Sequence, residues 1–340
     1  MFDLIIRNGT LVDGTGAKSF VADIALQDGR IAEIATRIVA EATEVIDATG
    51  LIVTPGFVDI HTHFDGQVTW DGLLEPSSQH GVTTIVSGNC GVGFAPVRPG
   101  YEDALIELME GVEDIPGTAL YEGIEWGQWE SFPEYMDYIA SRRYSLDIGA
   151  QVAHGALRYY VMGERGKENL DATNEDLNEM SRLVTQALTA GAVGFSTSRT
   201  IGHRALDGSP VPGTFAPDQE LSAIAEAMRK AGRGVFEMIP AGTVGKLEGL
   251  GGERTTPEAE LTLMADFSRQ SGRKVTFTLV QSPDYAPDTW ERLLEMVVTA
   301  NQTGAQLFPQ VPSRPIGLAS GLSGYHAFQR RPTYMKLTHL

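Results

Sequence analysis

The sequence predicts an α/β protein: a small β-sheet at the N-terminus, then βα units laid on a parallel sheet. Three observations carry this. Residues 1–50 break into closely spaced apolar strands, with a hairpin signal at Asp28-Gly29. From Leu51 onward short apolar strands alternate with amphipathic helical stretches, the grammar of βα units. A chain of 340 residues is long enough for two domains or one barrel-sized domain with a large core.

In chain order, "DLIIR", the turn "NG", "TLVDG" and the pair in "VADIALQDGRIAEIA" are expected to form a small antiparallel sheet over residues 1–53. So few strands need a partner surface to be stable. Seven candidate strands follow: "LIVTPGFVDI", "TTIVSG", "LDIGAQVA", "GAVGFST", "GVFEMI", "KVTFTLV" and "AQLFPQV". The helices between the later ones, such as "NEDLNEMSRLVTQALTAG" and "DQELSAIAEAMRKAG", close on glycine, the expected C-terminal stop. The last segment, 312–340, has loop and helix character without a clear eighth strand. Seven strands fit either an open doubly wound sheet or a (β/α)8 barrel whose last part lies beyond Leu340. The candidate site residues favour the barrel.

A net charge of −18 argues against nucleic acid or an anionic membrane surface as partner, since both reward positive patches. The start, "MFDLIIRNGTLVDG", lacks the basic region and long apolar core of a signal peptide. No apolar run approaches the roughly 20 residues that span a bilayer. One cysteine, Cys90, excludes an internal disulfide framework. A cytoplasmic protein is the expectation.

Chemistry concentrates in "GFVDIHTHFDGQ". On a strand, His61 and His63 share a face, and at the C-terminal end of a barrel strand two imidazoles can hold one zinc-like ion. The plain alternative is two polar residues where a strand ends. Cys90, in "TTIVSGNCGVG", ends the next strand at the same rim and offers a thiolate; its alternative is a small buried apolar side chain. "GNCGVGFAP" lacks a P-loop lysine, so a phosphate cradle is set aside.

Together "DLIIRNGTLVDGTG", "VTPGFVDIHTHFDGQ", "HGVTTIVSGNCGVGFAP", "HGALR" and "GFSTSR" resemble the amidohydrolase superfamily, and within it the N-acyl-D-amino-acid deacylase (D-aminoacylase) group. The resemblance runs in order through essentially the whole chain. It implies a metal-dependent (β/α)8 TIM-type barrel, with about seven of eight strands present over residues 54–340. Residues 1–53 would be one half of a β-sandwich shared between the chain ends. The implied activity is hydrolysis of linear amide C–N bonds, deacylating N-acyl-D-amino acids. Position by position, His61 and His63 match the metal ligands of the first strand, and Cys90 the cysteine ligand of the second. Zinc or another divalent metal is the implied cofactor, and the departures from the family pattern below favour one ion, held by His61, His63, Cys90 and Glu237.

The chain departs from the family pattern at three places. Where a histidine ligand is expected on the fifth strand stands Glu237, which can ligate zinc or simply pair with a basic neighbour. The sixth strand offers Gln281, a poor ligand. No Asp or Glu follows Glu295, so the catalytic aspartate expected after the eighth strand has no counterpart here. On this reading the chain is the N-terminal part of a longer enzyme.

His154 and Arg158 in "VAHGALR" are candidate substrate contacts, Arg158 through its planar fork, or else a loop-stabilising pair. Ser196 in "GFSTSR" and His203 in "IGHR" could line the pocket or cap turns. Trp126, Trp129, Phe132 and Tyr135 are read as packing before a pocket wall. Two rival functions remain: cyclic amide hydrolysis, as in hydantoinases and dihydroorotases, and a non-catalytic truncated relative.

Overall fold

The computed structural model describes residues 1–312, 328 and 331–337. The chain divides into two compact units, 1–58 with 79–84, and 59–78 with 85–340.

In the first unit β1 (Phe2–Leu11) is central, flanked by β2 (Phe20–Gln27), β3 (Arg30–Ala35) and β4 (Ala42–Asp47) in the order β3-β2-β1-β4, with β5 (Ile52–Val53) also on β1. The β2–β3 turn has Asp28 at φ 52° and Gly29 at φ 70°, the doubly left-handed pair that the Asp-Gly signal predicts. The sheet corrects the antiparallel expectation. β1 pairs antiparallel with β2 but parallel with β4 and β5, because the chain crosses over after β3 and returns alongside the other edge of β1. The buried Asp23 carboxylate fixes that crossover, accepting from the backbone N–H of Ile38 (3.0 Å) and of Asn8 (2.9 Å). Those two donors hold its carboxyl below the usual range.

The second sheet has seven strands in chain order: β6 (Phe57–Asp59), β7 (Val82–Ser87), β8 (Asp147–Ala153), β9 (Gly194–Ser198), β10 (Val235–Ile239), β11 (Val275–Thr278) and β12 (Leu307–Gln310). The pairings from β8 through β12 are parallel. The expected strand "LIVTPGFVDI" is divided: β5 belongs to the first sheet and β6 to the second. Pro55, with no N–H to give a ladder, stands between them. The sheet curls, since His61, just past the first strand, meets Gln310 at the end of the last, Nδ1 to Oε1 at 2.9 Å. Of the expected loop-and-helix segment 312–340, most lies outside the described residues.

Between the strands lie α1 (Glu102–Glu113), α2 (Gly117–Gly123), α3 (Phe132–Ala140), α4 (His154–Met162), α5 (Glu164–Lys167), α6 (Asn174–Ala190), α7 (Asp218–Ala231), α8 (Pro257–Ser271) and α9 (Thr289–Gln302), with α10 (Pro332–Met335) near the end. Capping boxes open α3 at Ser131/Glu134 and α6 at Thr173/Asp176, and glycines in the left-handed region close α6, α7 and α8. Trp129, Phe132 and Tyr135 are buried against one another, which is the packing role expected for them.

Strand alternation sorts β9 and β10 into two sides. Phe195 stacks on Phe236, which stacks on Phe267 of α8, so these residues face the helix layer. Ser196 and Glu237 lie on the opposite side, where both meet the loop after β7. That loop is held close by Gly88. Its φ is +80°, and a Cβ there would stand 2.3 Å from the Gln151 carbonyl oxygen on β8. Gly88→Ala should therefore destabilise the protein by about 2 kcal/mol or more, summing left-handed strain and the clash, read as a lowered urea midpoint. A midpoint unchanged from wild type would show that the loop yields freely.

Candidate metal centre

His61 and His63 follow β6 with Thr62 between them donating its N–H to the Val86 carbonyl (3.1 Å), which continues the ladder and turns both imidazoles to one side. Their ring centroids are 5.5 Å apart. Cys90 follows β7 in the left-handed region at φ 57°, a conformation that costs a non-glycine residue about 1–2 kcal/mol. Strain of this kind persists where the surroundings over-determine the residue, and such places cluster at functional sites. Here the Cys90 N–H is fixed by Glu237 Oε2 at 3.2 Å.

The result is a compact donor cluster. Cys90 Sγ lies 3.2 Å from His61 Nε2 and 3.5 Å from His63 Nε2, and the three ligand atoms fall within 4.8 Å of one another. The tautomer of His61 follows from its other nitrogen. Nδ1–H donates to the Gln310 amide oxygen, whose own NH2 is tied to Thr276 Oγ1 at 2.8 Å. The Nε2 lone pair is thereby aimed at the cluster, the arrangement in which an outer partner orients a metal-binding imidazole. Glu237 stands on the far side of that ring, Oε1 3.8 Å from Nδ1 and without a hydrogen-bond partner among the described residues.

Two carboxylates that the sequence reading did not single out stand beside the cluster. Glu113, the last residue of α1, puts Oε1 3.2 Å from His63 Nε2. Asp65, two residues past His63, is buried with Oδ2 unpartnered. Burial drives the acids toward their neutral forms: Asp65 to about 8, Glu237 to about 8 and Glu113 to about 7. Burial, with the Glu113 and Glu237 carboxylates nearby, pushes the Cys90 thiol up, and burial holds both His61 and His63 below their usual value. A cation placed among these acids would draw them back toward their ionised forms.

Do these residues fit one? Zinc–nitrogen and zinc–sulfur bonds of about 2.0–2.3 Å at tetrahedral angles separate neighbouring donors by about 3.3–3.6 Å. The observed Sγ–Nε2 separations of 3.2 and 3.5 Å lie close to that range, and the donor set of two neutral imidazoles and one thiol is of the kind zinc takes.

The other candidates are not part of the donor cluster. His154 and Arg158 are buried on the helix side of β9, His154 between Thr197 Oγ1 (2.8 Å) and Glu220 Oε1 (2.7 Å). Arg158 Nη1 grips both oxygens of Glu220, at 2.5 and 2.6 Å. Ser196 sits within β9, donating to the Gly88 carbonyl and accepting from the Gly91 N–H. His203 accepts or donates through Nδ1 to Ser198 Oγ at 3.0 Å; burial and the His61 charge bring its imidazole down to about 4. Gln281 lines a separate cavity of about 550 Å3, with Pro240, Phe277, Tyr285 and Trp290; none of the cluster's donors borders it. Among the described residues, no helix is long and apolar enough to cross a membrane.

Comparison with known proteins matches residues 44–333 to the model of the Amidohydrolase family. A D-aminoacylase of Alcaligenes xylosoxydans xylosoxydans is 33% identical over 196 residues, 58% of this chain and 37% of that protein. An uncharacterized protein of Mycobacterium tuberculosis is 33% identical over 242 residues, covering 68% of this chain and 39% of its own. Among solved structures, an N-acyl-D-glutamate deacylase from Bordetella bronchiseptica, complexed with zinc and a phosphonate inhibitor, superposes with a TM-score of 0.68 at 27% identity; the match covers 92% of this chain and 59% of that one. The chain thus spans about two fifths of the curated relatives it matches. By the extent of the family match and the curled parallel sheet beneath it, the chain belongs to the amidohydrolase family.

Proposed function

We propose that this protein is a metal-dependent hydrolase of linear amide C–N bonds, acting on N-acyl-D-amino acids. The observation that carries the reading is the His61–His63–Cys90 cluster at the strand ends of an amidohydrolase sheet. The D-aminoacylase and the N-acyl-D-glutamate deacylase among its relatives support the substrate class. One zinc-like ion would be held by His61, His63 and Cys90, with Glu237 flanking the set. The chemistry such an ion supplies when bound is polarisation of the amide carbonyl and activation of water near neutral pH.

The chain's own residues do the rest. Gln310 keeps the proton of His61 on Nδ1, so Nε2 stays a donor. Glu237 holds the Cys90 backbone, keeping the thiol at the rim of the sheet. His203, neutral at pH 7, walls the site without adding charge. Arg158 is left out of substrate binding in this reading, since Glu220 already takes its guanidinium.

The test is turnover of a panel of N-acetyl-D-amino acids by zinc-loaded protein. Release of free D-amino acid, abolished by a chelator and restored by zinc, is the expected result. Faster hydrolysis of a hydantoin than of any linear amide would favour the cyclic-amide reading, and no turnover of either by zinc-loaded protein would sink both.

A further inference from the structure

The sequence assigns no role to the helix that follows β7, yet its last residue reaches the cluster. We infer that Glu113 is a further metal donor of this protein, contributing a carboxylate oxygen at the edge formed by His63 and Cys90. The inference rests on the proposed metal site and adds a residue to it.

Geometry carries the argument. Glu113 Oε1 is 3.2 Å from His63 Nε2, the nitrogen that also faces Cys90 Sγ at 3.5 Å. The 3.2 Å separation from His63 is close to the roughly 3.3 Å spacing of tetrahedral nitrogen and oxygen donors on one zinc ion. His63 Nδ1, meanwhile, is buried without a hydrogen-bond partner among the described residues, so nothing on its other side explains the placement of the ring.

Local rules argue that Glu113 is not there for the helix. A carboxylate at the C-terminal end of a helix meets the negative end of the dipole, a position that favours cations. Yet α1 ends on Glu113 with its side chain 19% exposed, and Asp114 follows in the left-handed region at φ 54°. The helix end is also pinned: a Cβ on Gly111 would lie 2.4 Å from the Arg204 carbonyl oxygen, so only glycine lets α1 approach that closely. The buried face of α1, Leu105, Ile106, Leu108 and Met109, fixes its rotation. The fold thus spends helix stability to hold one acid against His63, and a residue that breaks local preference without helping its own element is a candidate for function.

The experiment compares wild type, Glu113→Gln and Glu113→Asp as full chains. Metal-free protein is titrated with zinc by calorimetry, and cobalt(II) is used as a spectroscopic stand-in. Wild type should show a thiolate-to-cobalt charge-transfer band from Cys90 and intense d–d bands of low coordination number. E113Q should bind zinc at least about 30-fold more weakly, retain the thiolate band, and show altered d–d bands; E113D should recover part of the affinity. E113Q affinity within threefold of wild type overturns the inference. So does a weaker affinity with unaltered d–d bands, which would make Glu113 a partner of His63 and no donor. Wild type that binds neither metal overturns the metal reading itself, and the Glu113 inference with it. Equal thermal melting of the three metal-free proteins confirms that folding is not what differs.

Discussion

Cys90→Ser should lower zinc affinity by on the order of 10²–10³-fold, measured by titrating metal-free protein against a competing chelator. Structural zinc sites bind with about 10–16 kcal/mol, so one donor of four accounts for about 2.5–4 kcal/mol, or two to three decades in Kd. Serine preserves the size of the side chain and the N–H bond to Glu237 while replacing a thiolate by a hydroxyl that zinc takes far less readily. If the cysteine were only a small buried side chain, the variant would bind zinc as well as wild type. Chelator-treated wild type and variant should melt at similar temperatures. Zinc should raise the melting temperature of wild type more than that of the variant, because the gain from mass action falls with affinity.

The second large effect is expected far from the metal. Glu220→Gln should destabilise the protein by about 3–5 kcal/mol, since it leaves the Arg158 guanidinium buried without a counter-charge. For a unit of this size that is a fall of about 10 °C in melting temperature. Burial alone would raise the Glu220 carboxyl, but His154 and Arg158 outweigh it and bring it down from 4.5 to about 2. A carboxyl held low in the folded state contributes stability above its unfolded value and loses it as pH falls through the folded one. Glu220 therefore stabilises fully above about pH 4.5 and loses that contribution between 4.5 and about 2. His154, held low chiefly by burial, adds acid sensitivity that begins below its unfolded value of 6.5. E220Q should flatten the lower limb of the stability–pH curve and leave the upper one. An Arg158 that instead held substrate would declare itself differently: R158K would raise KM while the melting temperature stayed put.

Much of the barrel half was legible because βα alternation and glycine stops are local signals, and all seven strands stand where apolar runs suggested. What misled was pairing. Nothing in "ATEVID" or "LIV" says that these strands run parallel to β1, since direction is set by the crossover that Asp23 anchors from a distance in sequence. The proximity of His61, His63 and Cys90 was legible from two short motifs at successive strand ends. Asp65 could have been found, as it continues the alternation of the histidine pair. Glu113 could not, because it arrives from a helix end with no motif around it. The surroundings of Arg158 were hidden too: its partner Glu220 is 62 residues on, in a helix whose polar residues look solvated.

A chain with a single thiol, placed at the donor cluster, also carries its own bookkeeper. Every thiol adduct formed with a maleimide must sit at Cys90, so labelling of this buried thiol reports the opening of its site, with no enzyme assay. Among thiols, oxidants have the same single target: a sulfenic acid on this chain is a lost thiol, and recovery by a thiol reductant is its return. If Cys90 holds an ion as proposed, its oxidation would appear as metal release.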